Sequence, residues 1–552
     1  MKVRAQVSIF VLIAATLALP VSAVGAIKSG DTCPKLGKTT TQSGYKYFCI
    51  KKNGKLVWSN KVKVTAPKTP TTPTTPTTPT TPTTPTTPTT PTTPTTPTTP
   101  TTPTTPTTPT AASFKDGDPC STVGEQIPNN SGVLECRIVA NNKRKYFQLS
   151  LSPVAPGLIQ SPEGIEICRA PDMRTTKSSG VQAIAYPVTS GPYPPALPIT
   201  GKVKVAIIPI DFSDVPGAGS PSEIIDPEIL KINEWVKQFS NGKMTYEFQT
   251  SKTWIRATKD SSEYVWVHPG PVQPNPLPGA RVGTLRTPAQ IAEDLMASAQ
   301  DSFDYTDLKV VFFVYPKTIV NIWDAITNFN GVNTNKGFIG IQINATGAWL
   351  YQNKMPIWSW FIHENMHPHG LAGHAPSDGS PFNLMTNQAG SSLVLDAWDQ
   401  LILDWQIPNQ FYCVSADKLE KATIKLSPLE RDEVGTKAIM VRLSANEVLV
   451  IESRRRDKWS SGQTDWAGLP VGFYGLFVYK VDTSIDKNRV ELGGFADFIS
   501  NPNVSHSPFQ GSYASQFDAN RIIYEGETLV TNGVSITLTK SGDHDQVTIS
   551  KS

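Results

Sequence analysis

The stretch Trp358-Ser359-Trp360-Phe361-Ile362-His363-Glu364-Asn365-Met366-His367-Pro368-His369-Gly370-Leu371-Ala372-Gly373-His374 decides how this chain reads. Of seven histidines in the protein, four fall in its last 12 residues. The apolar run before His363 is helix-compatible. On a helix, His363 and His367 stand one turn apart and project from one face, so both imidazoles can share a metal ion. Three protein ligands with an open fourth position make a catalytic zinc centre, whereas a structural centre fills all four. Glu364, one step round the helix, is placed to take a proton from the attacking water rather than to ligate. Gly370 lets the chain turn sharply and bring back a third ligand. His374 is the first choice for that ligand and Asp378 the second; His369 ranks below both because it lies on another face. Pro368 removes the backbone hydrogen bond to the Glu364 carbonyl and disfavours helical geometry at His367, so the helix should kink or end there. A structural or adventitious metal site is the alternative, and it leaves Glu364 without a task.

Outward from this helix, the flanking sequence reads as mixed α and β. Val203 to Ile210 is a strand, ended by Asp211-Phe212-Ser213-Asp214. A helix follows over about Pro227 to Phe239, stopped near Asn241-Gly242. Thr287-Pro288-Ala289-Gln290 resembles a capping box with proline at the first helical position. Leu308 to Tyr315 is a buried strand. In Phe338 to Ile343, the alternation of Ile339, Ile341 and Ile343 gives a half-exposed strand. Beyond about Asn409 short strands dominate, among them Val448 to Ile451, Leu476 to Val478 and Val534 to Leu538. Asn532-Gly533 between two of them is a hairpin signal, so the C-terminal part reads as a β-sandwich or similar all-β unit.

The N-terminal side carries an address and a spacer. Lys2 and Arg4, the apolar run Val7 to Leu19 and the small residues Val21-Ser22-Ala23 and Val24-Gly25-Ala26 read as a signal peptide over residues 1–26. Six cysteines in an exported chain favour disulfides. Cys33/Cys49 and Cys120/Cys136 share one spacing, each following a Gly-Asp-x-Cys opening, and read as two copies of a small disulfide-closed β module, residues 27–66 and 111–153. Between them, Thr-Thr-Pro repeats fill residues 67–110; proline at every third position excludes helix and sheet and favours a polyproline II spacer on the order of 100 Å long. Residues 154–200 are a lead-in or pro-segment, 201–410 the metal-site domain and 411–552 the β-rich domain. Cys168 has two readings: a disulfide with Cys413, the favoured one, or a thiol at the fourth metal position, implied only by the faint resemblance of Ile167-Cys168-Arg169-Ala170-Pro171-Asp172 to the cysteine-switch segment of some metzincin pro-segments.

The composition narrows the function classes. The 552 residues include 48 prolines and only 17% charged residues, as the long uncharged repeat requires. A net charge of +4, with no Lys/Arg cluster, leaves no electrostatic footprint for nucleic acid. No stretch after the signal peptide is long and apolar enough to span a membrane.

Several segments together resemble the M6 (immune inhibitor A-like) family of exported zinc metallopeptidases, and the histidine window resembles the metzincin signature. Besides His363 to His374 they are Asp211 to Asp214, Glu234-Trp235 through Phe239 to Lys243, Asn383-Leu384-Met385, Leu395 to Trp398 through Asp404-Trp405, Glu452-Ser453-Arg454 and Gly475 to Ser484. The resemblance spans about Lys202 to Ser484. It implies an α+β fold: a zincin-like domain with a mixed sheet and an active-site helix, followed by an all-β region. It carries His363 and His367 over as zinc ligands, Glu364 as general base and Met385 as the apolar floor beneath the metal. The family's third-ligand spacing falls on Gly373, and His374 stands one residue later. Ile339, Ile341 and Ile343 would form the edge strand on which an extended peptide lies. The expected cofactor is Zn2+; Ca2+ is a second candidate cation, with no loop of clear ligand spacing to hold it. The expected protein is secreted or held at the cell surface, takes a protein or peptide substrate, and reaches a surface polymer through its N-terminal modules. Two rivals remain: a catalytically inactive zinc-containing surface-binding protein on a peptidase scaffold, and a zinc hydrolase of some other bond, such as a cell-wall cross-link.

Overall fold

The protein is described by a computed structural model over residues 28, 31–33, 39–42, 45–52, 55–58, 62–63, 114–129, 132–150, 153–175, 184–188, 195–265, 286–323, 327–328, 331–334, 337–340, 342–371, 375–376, 382–456, 458–459, 474–486, 494–507 and 517–552. The expected signal peptide and the Thr-Thr-Pro repeat lie outside the described residues. Residues 1–107 and 108–552 form two separate compact units.

The first unit contains an antiparallel sheet of β1 (Thr39–Gln42), β2 (Tyr45–Lys52), β3 (Lys55–Trp58) and β4 (Val62–Lys63). The second unit opens with β5 (Gln126–Asn129), β6 (Gly132–Val139) and β7 (Lys143–Leu149), also antiparallel. The two modules are built alike around their first cysteines. In one, the Asp31 carboxylate accepts from the Lys28 amide, Trp58 N donates to Asp31 O and Cys33 N to Leu56 O. In the other, Asp118 accepts from Lys115, Tyr146 N donates to Asp118 O and Cys120 N to Arg144 O. Cys120 and Cys136 are joined with Cα atoms 5.8 Å apart. Cys33 is also disulfide-bonded; the side chain of its expected partner, Cys49, lies outside the described residues.

A mixed sheet follows, made of β8 (Gly201–Asp211), β9 (Met244–Thr250), β10 (Ile255–Arg256), β11 (Val310–Val314), β12 (Thr327–Asn328) and β15 (Gln342–Ala345). Between the last two, β13 (Val332–Thr334) and β14 (Gly337–Ile339) form a hairpin of their own. Both β9 and β10 pair with one edge of β8; β11 and β15 follow, all parallel, and β12 closes the far edge antiparallel. Alternation along β8 sends Val203, Val205 and Ile207 to one face, where α1 (Ser222–Phe239) and α4 (Ile357–Met366) pack. Ala206, Ile208 and Ile210 face the other side, against α2 (Pro288–Ala299). Helix α1 begins five residues before the expected start and carries Pro227 in its interior, at the cost of the hydrogen bond to the Glu223 carbonyl; burial of Ile225, Ile232, Trp235, Val236 and Phe239 offsets that cost. Helix α2 starts as expected: Gln290 N donates to Thr287 Oγ1 at 3.3 Å and Thr287 N to Gln290 Oε1 at 3.0 Å.

One expectation is corrected here. Ile339 and Ile343 do not share an edge strand. Ile339 belongs to β14, paired with Val332, whereas Ile343 is buried on β15 between β11 and β12. Gly340 separates the two strands, and Ile341 lies outside the described residues. The alternation of isoleucines was not that of one half-exposed strand, since Gln342, Ile343, Asn344 and Ala345 are all buried.

After α3 (Ala348–Gln352), α4 and α5 (Ala397–Ile402), the chain builds two sheets. The larger contains β16 (Phe411–Ser415), β18 (Ala438–Arg442), β19 (Glu447–Arg455), β20 (Tyr474–Asp482), β21 (Ala496–Phe498) and β22 (Ile522–Ile523). The smaller holds β17 (Ala422–Leu426), β23 (Thr528–Thr531), β24 (Val534–Lys540) and β25 (Asp545–Lys551), with the expected Asn532-Gly533 turn at φ 48° and 75°. One hydrophobic core runs from Phe147 through α1, α4 and α5 into both C-terminal sheets. No helix among the described residues is long and apolar enough to cross a membrane.

Candidate metal centre

Helix α4 is anchored by its apolar residues. Phe361 meets Phe312 of β11 edge to face at 5.4 Å, and Trp360 Nε1 donates to the Ala345 carbonyl of β15 at 3.2 Å. These contacts fix the rotation of the helix and so aim the next residues. His363 is 3% exposed and lies parallel to the Trp360 ring, with centroids 6.4 Å apart. The helix ends at Met366, as Pro368 requires, yet His367 keeps helical angles of −57° and −53°. Hydrogen bonds from His369 N to Asn365 O and from Leu371 N to Met366 O hold the turn through the proline. His363 and His367 therefore remain on one face, with their Nε2 atoms 3.3 Å apart.

The opposite nitrogens of both rings face backbone carbonyls. His363 Nδ1 lies 2.9 Å from Leu384 O, and His367 Nδ1 lies 3.3 Å from Leu371 O. A carbonyl only accepts, so each Nδ1 carries hydrogen and each Nε2 presents a lone pair in the neutral ring. At this distance the two nitrogens can share a hydrogen bond, with one ring the donor, or a metal ion. Two nitrogens about 2.0–2.1 Å from a tetrahedral zinc would be about 3.3–3.4 Å apart, so the pair fits that ion. The carbonyl-anchored Nδ1 is also the usual outer arrangement of a metal-binding histidine.

The other expected residues divide. Glu364 follows His363 directly and is partly exposed; burial of its carboxyl pushes its pKa up to about 8. Met385 is fully buried in the turn after Asn383, and that turn supplies the Leu384 carbonyl to His363. His369 points elsewhere: buried, it meets Tyr246 Oη at 2.8 Å through Nε2, and burial lowers its pKa to about 3. His374 and Asp378 lie outside the described residues. Among the described residues no three His, Cys, Asp or Glu side chains converge as a metal site.

The lead-in borders this turn. Leu197 N donates to Pro368 O at 2.9 Å. Gly370 has φ +109°, and a β-carbon there would sit 2.6 Å from Val188 Cγ2, so only glycine fits the expected sharp turn. Cys168 is joined to Cys413, with Cα atoms 6.0 Å apart, so its thiol is not available to a metal.

Sequence patterns did not reveal the carbonyl anchors at Leu384 and Leu371. The pairing of Asn383 with Asp396 was equally hidden. A backbone acceptor leaves no residue-type signature. No protein-family model matches the chain, and no curated protein matches it.

Proposed function

We propose that the chain is an exported zinc endopeptidase of the M6-like, metzincin type. The observation that carries this reading is the 3.3 Å approach of the His363 and His367 Nε2 atoms, with both Nδ1 atoms turned to backbone carbonyls. His363, His367 and a third residue after Gly370, with His374 preferred, would hold the ion. Zinc, when bound, polarises the scissile carbonyl and acidifies the attacking water. Glu364 then has a task its position suits: its carboxylate accepts the proton of that water and passes it to the departing amine nitrogen as the C–N bond breaks. Without a nearby positive charge, its carboxyl, with a pKa near 8, would be protonated at neutral pH and unable to act as base. Among the described residues the strand beyond β15 is β12, Thr327–Asn328, and an extended peptide would add there rather than on the strand expected from the isoleucine alternation. The signal-like N-terminus and the disulfides support export, and the proline-rich spacer suits a module that tethers the enzyme to a surface polymer.

The test is hydrolysis of a quenched generic protein substrate by the purified chain and by Glu364→Gln, with zinc measured on both. Zinc in both and turnover only in the parent is the expected result. Zinc in both with turnover in neither, across protein and cell-wall substrates, would favour the inactive binding protein. Turnover confined to cell-wall material would favour the other hydrolase.

A further inference from the structure

The turn that anchors His363 is itself held by a buried charged network that reaches into the C-terminal sheet. Asn383 Oδ1 accepts from Met385 N at 2.6 Å and its amide donates to Asp396 Oδ2. Asp396 Oδ1 caps α5 by accepting from Asp399 N at 2.8 Å. The first residue of that helix, Ala397, donates its amide to Glu452 Oε1 at 2.6 Å, and Tyr479 Oη donates to the same oxygen at 2.8 Å. Glu452 Oε2 pairs with Arg454 Nη1 at 2.9 Å, and Arg454 Nε with Glu430 Oε1 at 3.1 Å. Arg454 completes the circuit: its Nη2 donates to the Phe382 carbonyl, one residue before Asn383, and to Ser392 Oγ. Glu452, Arg454 and Glu430 are at most 1% exposed.

We propose that Glu452 and Arg454 are positioning residues for the metal centre, acting through the Phe382–Met385 turn and the Leu384 carbonyl on His363 Nδ1. The proposal rests on the zinc reading above. Burying two carboxylates and a guanidinium is costly unless geometry and partners are good, and replacing such a group by apolar residues is often no less stable. A network of this kind is therefore poorly explained by stability alone. Its bonds converge on the backbone that orients a histidine, where outer partners tune metal affinity.

The test uses the full chain loaded with Co2+ in place of zinc. Chelator competition gives the affinity of folded protein, the visible absorption reports the ligand geometry, and the melting temperature is taken metal-free. Arg454→Lys keeps a charge but loses the fork; Glu452→Gln keeps the shape and weakens the ion pair. Expected are dissociation constants about 10–100-fold higher than the parent's in both variants, with altered cobalt absorption. Parental affinity and absorption, with only a lower metal-free melting temperature, would overturn the positioning role and leave the zinc reading intact. A parent that binds no cobalt, or binds it equally after His363→Ala, would overturn both. If Arg454→Lys does not fold, Glu452→Gln decides alone.

Discussion

On the proposed zinc reading His363 works through both nitrogens, and its two sides predict different losses. Substituting the ring would remove a metal ligand; disturbing Leu384 would leave the ligand but free its orientation. Glu364→Gln should keep the metal and lower turnover about 10²–10⁴-fold, the usual share of a general base, as read by initial rates at saturating substrate. Glu364 also makes metal-free stability depend on pH. With its folded pKa near 8, above the unfolded value of about 4.3, the folded state keeps a proton that the unfolded state releases between those values. Metal-free parent should therefore lose stability as pH rises from about 4.3 to 8. Metal-free Glu364→Gln should melt higher than metal-free parent at pH 8, with the gap closing toward pH 4; equal melting temperatures at pH 8 would refute this. The nearness of His363 and His367 was legible because a one-turn spacing maps directly onto a helix face. The carbonyls of Leu384 and Leu371 were not, since any residue type supplies one and only the folded chain brings it near.

The elements were legible where a local rule governs them. Helix α2 follows its capping box, α4 ends ahead of its proline, and the Asn532-Gly533 turn has the positive φ angles such a hairpin needs. The isoleucines at 339–343 misled because period-two alternation assumes one continuous strand, and β15 is buried on both faces by what packs above and below the sheet, Ile343 and Ala345 lying in the core on the α2 side. Two predictions belong at this scale. The Cys168–Cys413 bridge closes a loop of 245 residues, and replacing both by serine should cost about 2–4 kcal/mol in denaturant unfolding. The native chain should correspondingly show no reactive thiol. Glu433, before β18, is tied to His544, before β25. Burial alone would raise its carboxyl, but hydrogen bonds from His544 and Ser427 bring it down to about 2. This contribution is complete above the unfolded value and lost as pH falls from about 4.5 toward 2. Glu433→Gln should thus unfold more easily at pH 7, by at most roughly 3 kcal/mol, and lose part of the parent's acid sensitivity between pH 4.5 and 2.

At the scale of the molecule, one core runs from Phe147 through α1, α4 and α5 into both C-terminal sheets and so crosses residue 410, where composition and strand density placed a boundary; a second core fills the α2 side of the mixed sheet. Shared burial cannot be read from one sequence: Trp398 and Ile451 are apolar whether they face their own domain or another. Trp398 Nε1 donates to Ile184 O and Trp405 Nε1 to Ile199 O, so the lead-in is also built into the fold. A chain of residues 201–410 alone should therefore fail to fold, whereas 108–552 should unfold cooperatively, as far-UV circular dichroism in denaturant will show. The central claim concerns the two histidines on α4, and zinc binding tests it most directly. Equilibrium dialysis of the purified chain, beside His363→Ala and His367→Ala with their circular dichroism matched to the parent, should give one zinc per parent chain and its loss in both variants. A folded parent that takes up no zinc, or variants that retain it, would contradict the account.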